Sequence, residues 1–141
     1  MINENDLNIE LYLGKRDYVK AKELVLEDLD DVLLPAEIKN MRIKQLIDLL
    51  IKTHSYNEAL RTAQNYKNTA VNQGLIATLT VQSIGCLTVL EREDEALIEA
   101  KTAFEAKIIS EQSYDMIVSQ IIDSFATPKE RTNNNNDLRM N

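Results

Sequence analysis

The chain has 141 residues, 16 basic and 23 acidic, for a net charge of −7. It is long enough to bury one real core, and its charge disfavours nucleic-acid phosphates and anionic membranes as partners. Three glycines, two prolines and 5% aromatics beside 44% hydrophobic residues argue against a β-sandwich or barrel, which needs many tight turns, and for an all-α fold.

In chain order, residues 5–14 form a short first segment with Leu7, Ile9, Leu11 and Leu13. Their alternation is the one place where the pattern could be taken for a strand. From Asp17 to Leu29 the apolar residues Tyr18, Ala21, Leu24, Val25 and Leu29 recur at three and four, and Asp30-Asp31 breaks the run. Pro35 is placed to open the next helix, since proline is tolerated at the first helical position. That helix continues to about Thr53, with Ile43, Leu46, Ile47, Leu50 and Ile51 on its apolar side. Ser55 followed by Glu58 reads as a capping box, in which hydroxyl and carboxylate each satisfy an amide donor. The fourth helix carries Ala59, Leu60, Ala63, Tyr66 and Ala70, and Gln73-Gly74 reads as its stop. Residues 75–91 and then Ala96–Phe104 give two more helices, and Ser110 is placed to cap a seventh, which Thr127-Pro128 ends. The tail 127–141, with four consecutive asparagines, has no pattern and is expected to be disordered.

Six of the seven helices form three pairs, at about 5–30, 35–72 and 75–108. The helix at 110–126 stands alone and completes a single domain, 1–126. A repeat underlies the pairs. Ala21, Ala59 and Ala96 hold equivalent places near the start of each second helix, 38 and 37 residues apart. In this the chain resembles the tetratricopeptide repeat family, whose period is about 34 residues and which keeps a small residue where the second helix crosses the first. Tyr12, Leu50 and Leu87 fall where the family favours tyrosine. Ile9, Ile47 and Ile84 take a site where glycine or alanine is usual, and Asn5, Ile43 and Thr80 one where tryptophan is frequent. Val25, Ala63 and Ala100 replace an aromatic. The resemblance implies degenerate antiparallel helix-turn-helix repeats, stacked as a short right-handed solenoid with a C-terminal capping helix. It also implies a concave groove, lined by the first helices, that takes a protein or peptide.

Motifs for catalysis, metals or cofactors are missing from the sequence. His54 is the single histidine and lies at a helix end; Cys86 is the single cysteine and lies among apolar residues. Neither has a partner close in sequence for a metal site or an activated thiolate. Gly14, Gly74 and Gly85 are isolated, so no phosphate loop is written here. The acidic groups 27–31 and 91–95 lie where helices meet loops and read as solvated turns.

Binding is therefore the expectation, without an enzyme activity and without a cofactor. On the third helix, Met41, Lys44, Gln45, Asp48 and Lys52 lie opposite the apolar stripe. Lys44, Asp48 and Lys52 are spaced by four and can pair along the helix, so the face is either a salt-bridged surface or a groove whose lysines hold an acidic group. The same phase adds Asp6 and Glu10 from the first pair, and Gln82, Gly85 and Thr88 from the third. Tyr114, Ile117, Val118, Ile121 and Phe125 on the last helix either cap the array or form a dimer contact. The leading function is an adaptor, chaperone or regulator that binds a protein or peptide. The alternatives are an acidic inhibitor of the immunity or phage counter-defence kind, and a structural homodimer. A polar, acidic N-terminus, the lack of an 18-residue apolar run and the lone cysteine point to the cytoplasm and away from a membrane. The abundance of Asn, Ile and Lys points to a bacterial or phage source.

Overall fold

The structure is a computed structural model that describes residues 4–138, with side chains to residue 126. Seven helices and no strand occur among the described residues: α1 Asn5–Gly14, α2 Tyr18–Leu29, α3 Ala36–Lys52, α4 Tyr56–Thr69, α5 Gln73–Val89, α6 Glu93–Glu105 and α7 Glu111–Leu138. They gather into two compact units, Met1–Ala70 and Val71–Asn141. In the first unit α1 packs on α2, α2 on α3 and α3 on α4. In the second α5 packs on α6 and α6 on α7. Within each unit a helix thus packs on its sequence neighbour, which is the order a helical-hairpin repeat requires.

The repeat is written in the backbone as well as in the alanines. Helices α1, α3 and α5 end on a residue with positive φ, at Arg16, His54 and Glu91. Each lies five residues before one of the three alanines. At each turn two amides fold back on the helix just ended. The amides of Asp17, Ser55 and Arg92 donate to the carbonyls of Tyr12, Leu50 and Leu87 at 2.8, 2.7 and 2.9 Å. Those of Arg16, His54 and Glu91 donate three residues back, at 3.0, 3.0 and 3.1 Å. This is the two-bond closure that satisfies the last carbonyls of a helix, and glycine is the residue that normally takes its left-handed position. None of the glycines here has positive φ. A charged or imidazole side chain occupies the site in every pair.

Packing repeats with the same period. Ala21, Ala59 and Ala96 are fully buried, as are Ile9, Ile47, Val25, Ala63 and Ala100, with Ile84, Leu50 and Leu87 nearly so. Small residues on the second helices let the isoleucines of the first helices pack at close range, a volume balance that explains how Ile9, Ile47 and Ile84 are accommodated. Tyr12 is half-buried, and the Lys20 ammonium lies 5.5 Å from its ring centroid. The alternating α1 segment is a helix: Asn5 and Ile9 face inward, while Leu7 and Leu11 stand exposed.

Four local expectations need correction. Pro35 is the N-cap of α3 and not its first residue. Ser55 caps α4 by position only, because its hydroxyl makes no capping bond. The amide that Glu58 would have reached is already given to Leu50, and Glu58 lies 4.0 Å from Lys22 instead. Gln73-Gly74 does not stop α4. Ala70 is extended, Asn72 Oδ1 accepts the Leu75 amide at 2.9 Å, and Gly74 falls in the first turn of α5. Helix α7 passes through Thr127-Pro128 to Leu138, and residues 139–141 of the expected tail lie outside the described residues. Ser110 caps α7 as the sequence reads, accepting the Ser113 amide at 3.1 Å, and Asp17, which the pattern did not single out, caps α2 by accepting the Lys20 amide at 3.2 Å.

Candidate functional site

Two features stand out, one in each unit. In the first, the centre is Arg42, which is completely buried. It lies on α3 four residues from Ile38 and four from Leu46, both buried, so it occupies the apolar stripe. Its Nε donates to Asp28 Oδ2 at 2.6 Å, its Nη1 to Gln45 Oε1 at 2.9 Å, and its Nη2 to Asp6. Asn5 Nδ2 donates to the other Asp28 oxygen at 2.8 Å. One guanidinium therefore ties α1, α2 and α3 together. Burial works against its charge, but the hydrogen bonds and charges of Asp28 and Asp6 more than offset this and hold its pKa above the ordinary arginine value. Such a cluster positions helices; it is saturated by its own partners and offers no open chemistry.

This cluster absorbs part of the expected groove face. Asp6 and Gln45 are ligands of Arg42, and the Met41 sulfur lies 3.7 Å from its Nη1. Glu10, Asp48 and Lys52 are exposed and Lys44 is half-buried. Sequence reading passed over Arg42, although a lone arginine in phase with Ile38 and Leu46, in a chain with acids at Asp6 and Asp28, is the pattern a buried ion pair leaves.

The second unit holds an open groove. Helices α5 and α7 both border α6, and between them runs a depression in two adjoining stretches of about 570 and 270 Å³ that share Val81, Ile117 and Gln120. Val81, Ile84, Ile117 and Ile121 give its apolar surface, and Gln82, Gly85 and Thr88 of the expected face line it too. Among the described side chains, none that lines either stretch is ionisable. Several hydroxyls are already engaged: Thr78 donates to Gly74 O at 3.0 Å, Thr88 to Ile84 O at 2.8 Å, and Ser110 to Ser113 Oγ at 3.1 Å. Gly85 lies in mid-helix, where it costs roughly 0.5–1 kcal/mol relative to alanine. A Cβ there would meet nothing within 4 Å, and its φ is not positive, so neither packing nor backbone within the fold calls for glycine.

The last helix uses its apolar stripe partly within its own unit. Tyr114 stacks on Phe104 of α6 with ring centroids 4.8 Å apart, and Ile121 is buried. Ile117, Val118 and Phe125 are half-buried, while Met116 and Ile122 are about half exposed. Cys86, on α5, is buried, and burial raises the pKa of its thiol, which disfavours the reactive thiolate. His54 Nδ1 lies 3.1 Å from the Tyr56 hydroxyl at the surface. Among the described residues no cluster of His, Cys, Asp and Glu could hold a metal ion, and no helix is long and apolar enough to cross a membrane. Comparison with family models, with characterised proteins and with solved structures gives no match for this chain.

Proposed function

We propose that this protein acts without catalysis, as a tetratricopeptide-like binding module that holds a segment of another protein as an adaptor, chaperone or regulator. The observation that carries this reading is the groove between α5 and α7: open, lined by Val81, Ile84, Ile117 and Ile121, and free of ionisable groups among the described residues. Exposed apolar surface of this kind is costly to leave in water and is the usual mark of an interaction site. The 38- and 37-residue period supports the repeat architecture on which the reading draws.

The test is affinity capture with the whole chain from cells that make it, beside a Val81→Glu variant. Val81 is about half exposed, so the charge is tolerated by the fold, which circular dichroism checks. A partner that is retained by the wild type and lost on Val81→Glu supports the reading. A partner held equally by both places binding elsewhere, and the absence of any partner removes the reading's support.

A further inference from the structure

We infer that the α5–α7 groove takes an amphipathic helix from a partner protein, one with an uncharged stripe, a small residue in it and basic flanks; this rests on the binding reading above. Three observations identify this occupant. First, an extended peptide would bring unpaired amides and carbonyls into the groove, where Thr78, Thr88 and Ser110 are already bonded within their own segments. A helix satisfies its own backbone and buries only side chains. Thr78 to Thr88 on α5, and Ser113 to Ser124 on α7, each extend about 15–17 Å at 1.5 Å per residue, which matches about three turns of a docked helix.

Second, Gly85 bares the α5 backbone at one point of the groove, with open space where its Cβ would be. A helix-weakening residue without a local need is accounted for if another backbone comes close there, and close helix approach requires small residues on both sides. Third, charge selects the flanks. Residues 71–126 carry nine acids and three bases, 3 − 9 = −6, yet none of these groups lines the groove. A helix seated there meets none of these charges along its buried stripe, while the net negative charge of the unit attracts a basic partner over a longer range, so lysine and arginine on its flanks are favoured.

The test pans a displayed library of 18-residue helical peptides against the full chain, then measures synthetic forms of the enriched sequences. The expected winners have an apolar stripe interrupted by Gly, Ala or Ser, and basic flanks. They shift the amide resonances of Val81, Gly85 and Ile117. Binding falls at least tenfold when a central proline breaks the helix, when the flanking lysines become glutamates, and when Gly85→Leu closes the approach. Because leucine favours helix over glycine, Gly85→Leu raises the thermal midpoint, so its loss of binding is not unfolding. Winners that tolerate proline, or that bind Gly85→Leu unchanged, overturn the inference. If binding instead disappears on Lys44→Glu with Lys52→Glu, the occupant is an acidic segment on the first unit; the binding reading then stands and this one falls. Self-association abolished by Gly85→Leu would seat a second copy in the groove and likewise overturn it. A library that yields no binder overturns this inference, while the binding reading is decided separately by the capture experiment above.

Discussion

The two units bury polar groups in opposite ways. In residues 1–70 the buried polar side chains Asn5, Asp28 and Arg42 bond to one another, and Asp6 and Gln45 close the network from its edge. In residues 71–126 the buried polar side chains are Thr80 and Ser83, both on α5. Thr80 gives its hydroxyl to the Ile76 carbonyl at 2.8 Å, but Ser83 Oγ has no hydrogen-bond partner. A satisfied buried network is costly to cut, whereas an unsatisfied buried hydroxyl is costly to keep. The same operation, deleting a polar group, should therefore act with opposite sign in the two units.

Arg42→Ala is the largest expected effect. It strands the Asp28 and Asp6 carboxylates and should lower unfolding free energy by about 3–5 kcal/mol in urea titrations. Hydrogen exchange should rise in α1, α2 and α3. Replacing all three charges, with Arg42→Met, Asp28→Asn and Asp6→Asn, should recover a large part of the loss. If the single change costs under about 1 kcal/mol, comparable to an exposed ion pair, the network does not form in solution. Ser83→Ala tests the other half of the contrast. Removing the unpartnered hydroxyl and improving helix propensity should raise stability by about 1 kcal/mol. A loss of that size would mean that the hydroxyl has a partner, and the contrast between the units would vanish.

Much of this fold was legible in the sequence because its signals are local. Six helix–helix hairpins and turns could be placed within a few residues from three- and four-residue apolar spacing, and the 38- and 37-residue repeat from three alanines alone. What stayed hidden was long-range or depended on competition for a single atom. Arg42 looks like any helical arginine until Asp28, 14 residues before it, and Asp6, 36 residues before it, are brought to its guanidinium. Ser55 and Glu58 match a capping box, but the Ser55 amide is claimed by Leu50 across the preceding turn, a contest no two-residue pattern records. For the groove, the sequence placed Gln82, Gly85 and Thr88 on one face. That Ile117 and Gln120 of α7 line the same groove was not legible, because periodicity fixes which residues share a helix face but not which helix stands opposite.

The hairpin turns offer a smaller test that applies to both units. Arg16, His54 and Glu91 hold left-handed conformations that favour glycine. His54→Gly in the first unit and Glu91→Gly in the second should each stabilise by about 0.5–1 kcal/mol, read as a rise in thermal midpoint. Equal gains would establish that the turn is energetically the same module in both units, despite their different cores. A loss at His54 alone would point to its contact with the Tyr56 hydroxyl, 3.1 Å away, as the stronger term.

The smallest effect is expected at the turn into α6. Arg92 and Glu95 stand where the first unit has Ser55 and Glu58, and again the N-cap amide is spent on the preceding helix, at Leu87. Glu95 turns to the Arg92 side chain instead, with contacts of 2.5 and 2.7 Å. The hydrogen bond from Arg92 lowers the Glu95 pKa below the ordinary glutamate value. A depressed carboxyl pKa contributes stability above its unfolded value, and that contribution is lost as pH falls through the folded one. The pair is exposed, so its effect on stability is slight and fades with salt. The carboxyl resonance of Glu95 should therefore titrate below the ordinary glutamate range, and Arg92→Ala should return it to that range. If Glu95 titrates in the ordinary range in the wild type, the ion pair is absent in solution. The two turns would then share their backbone closure and nothing more.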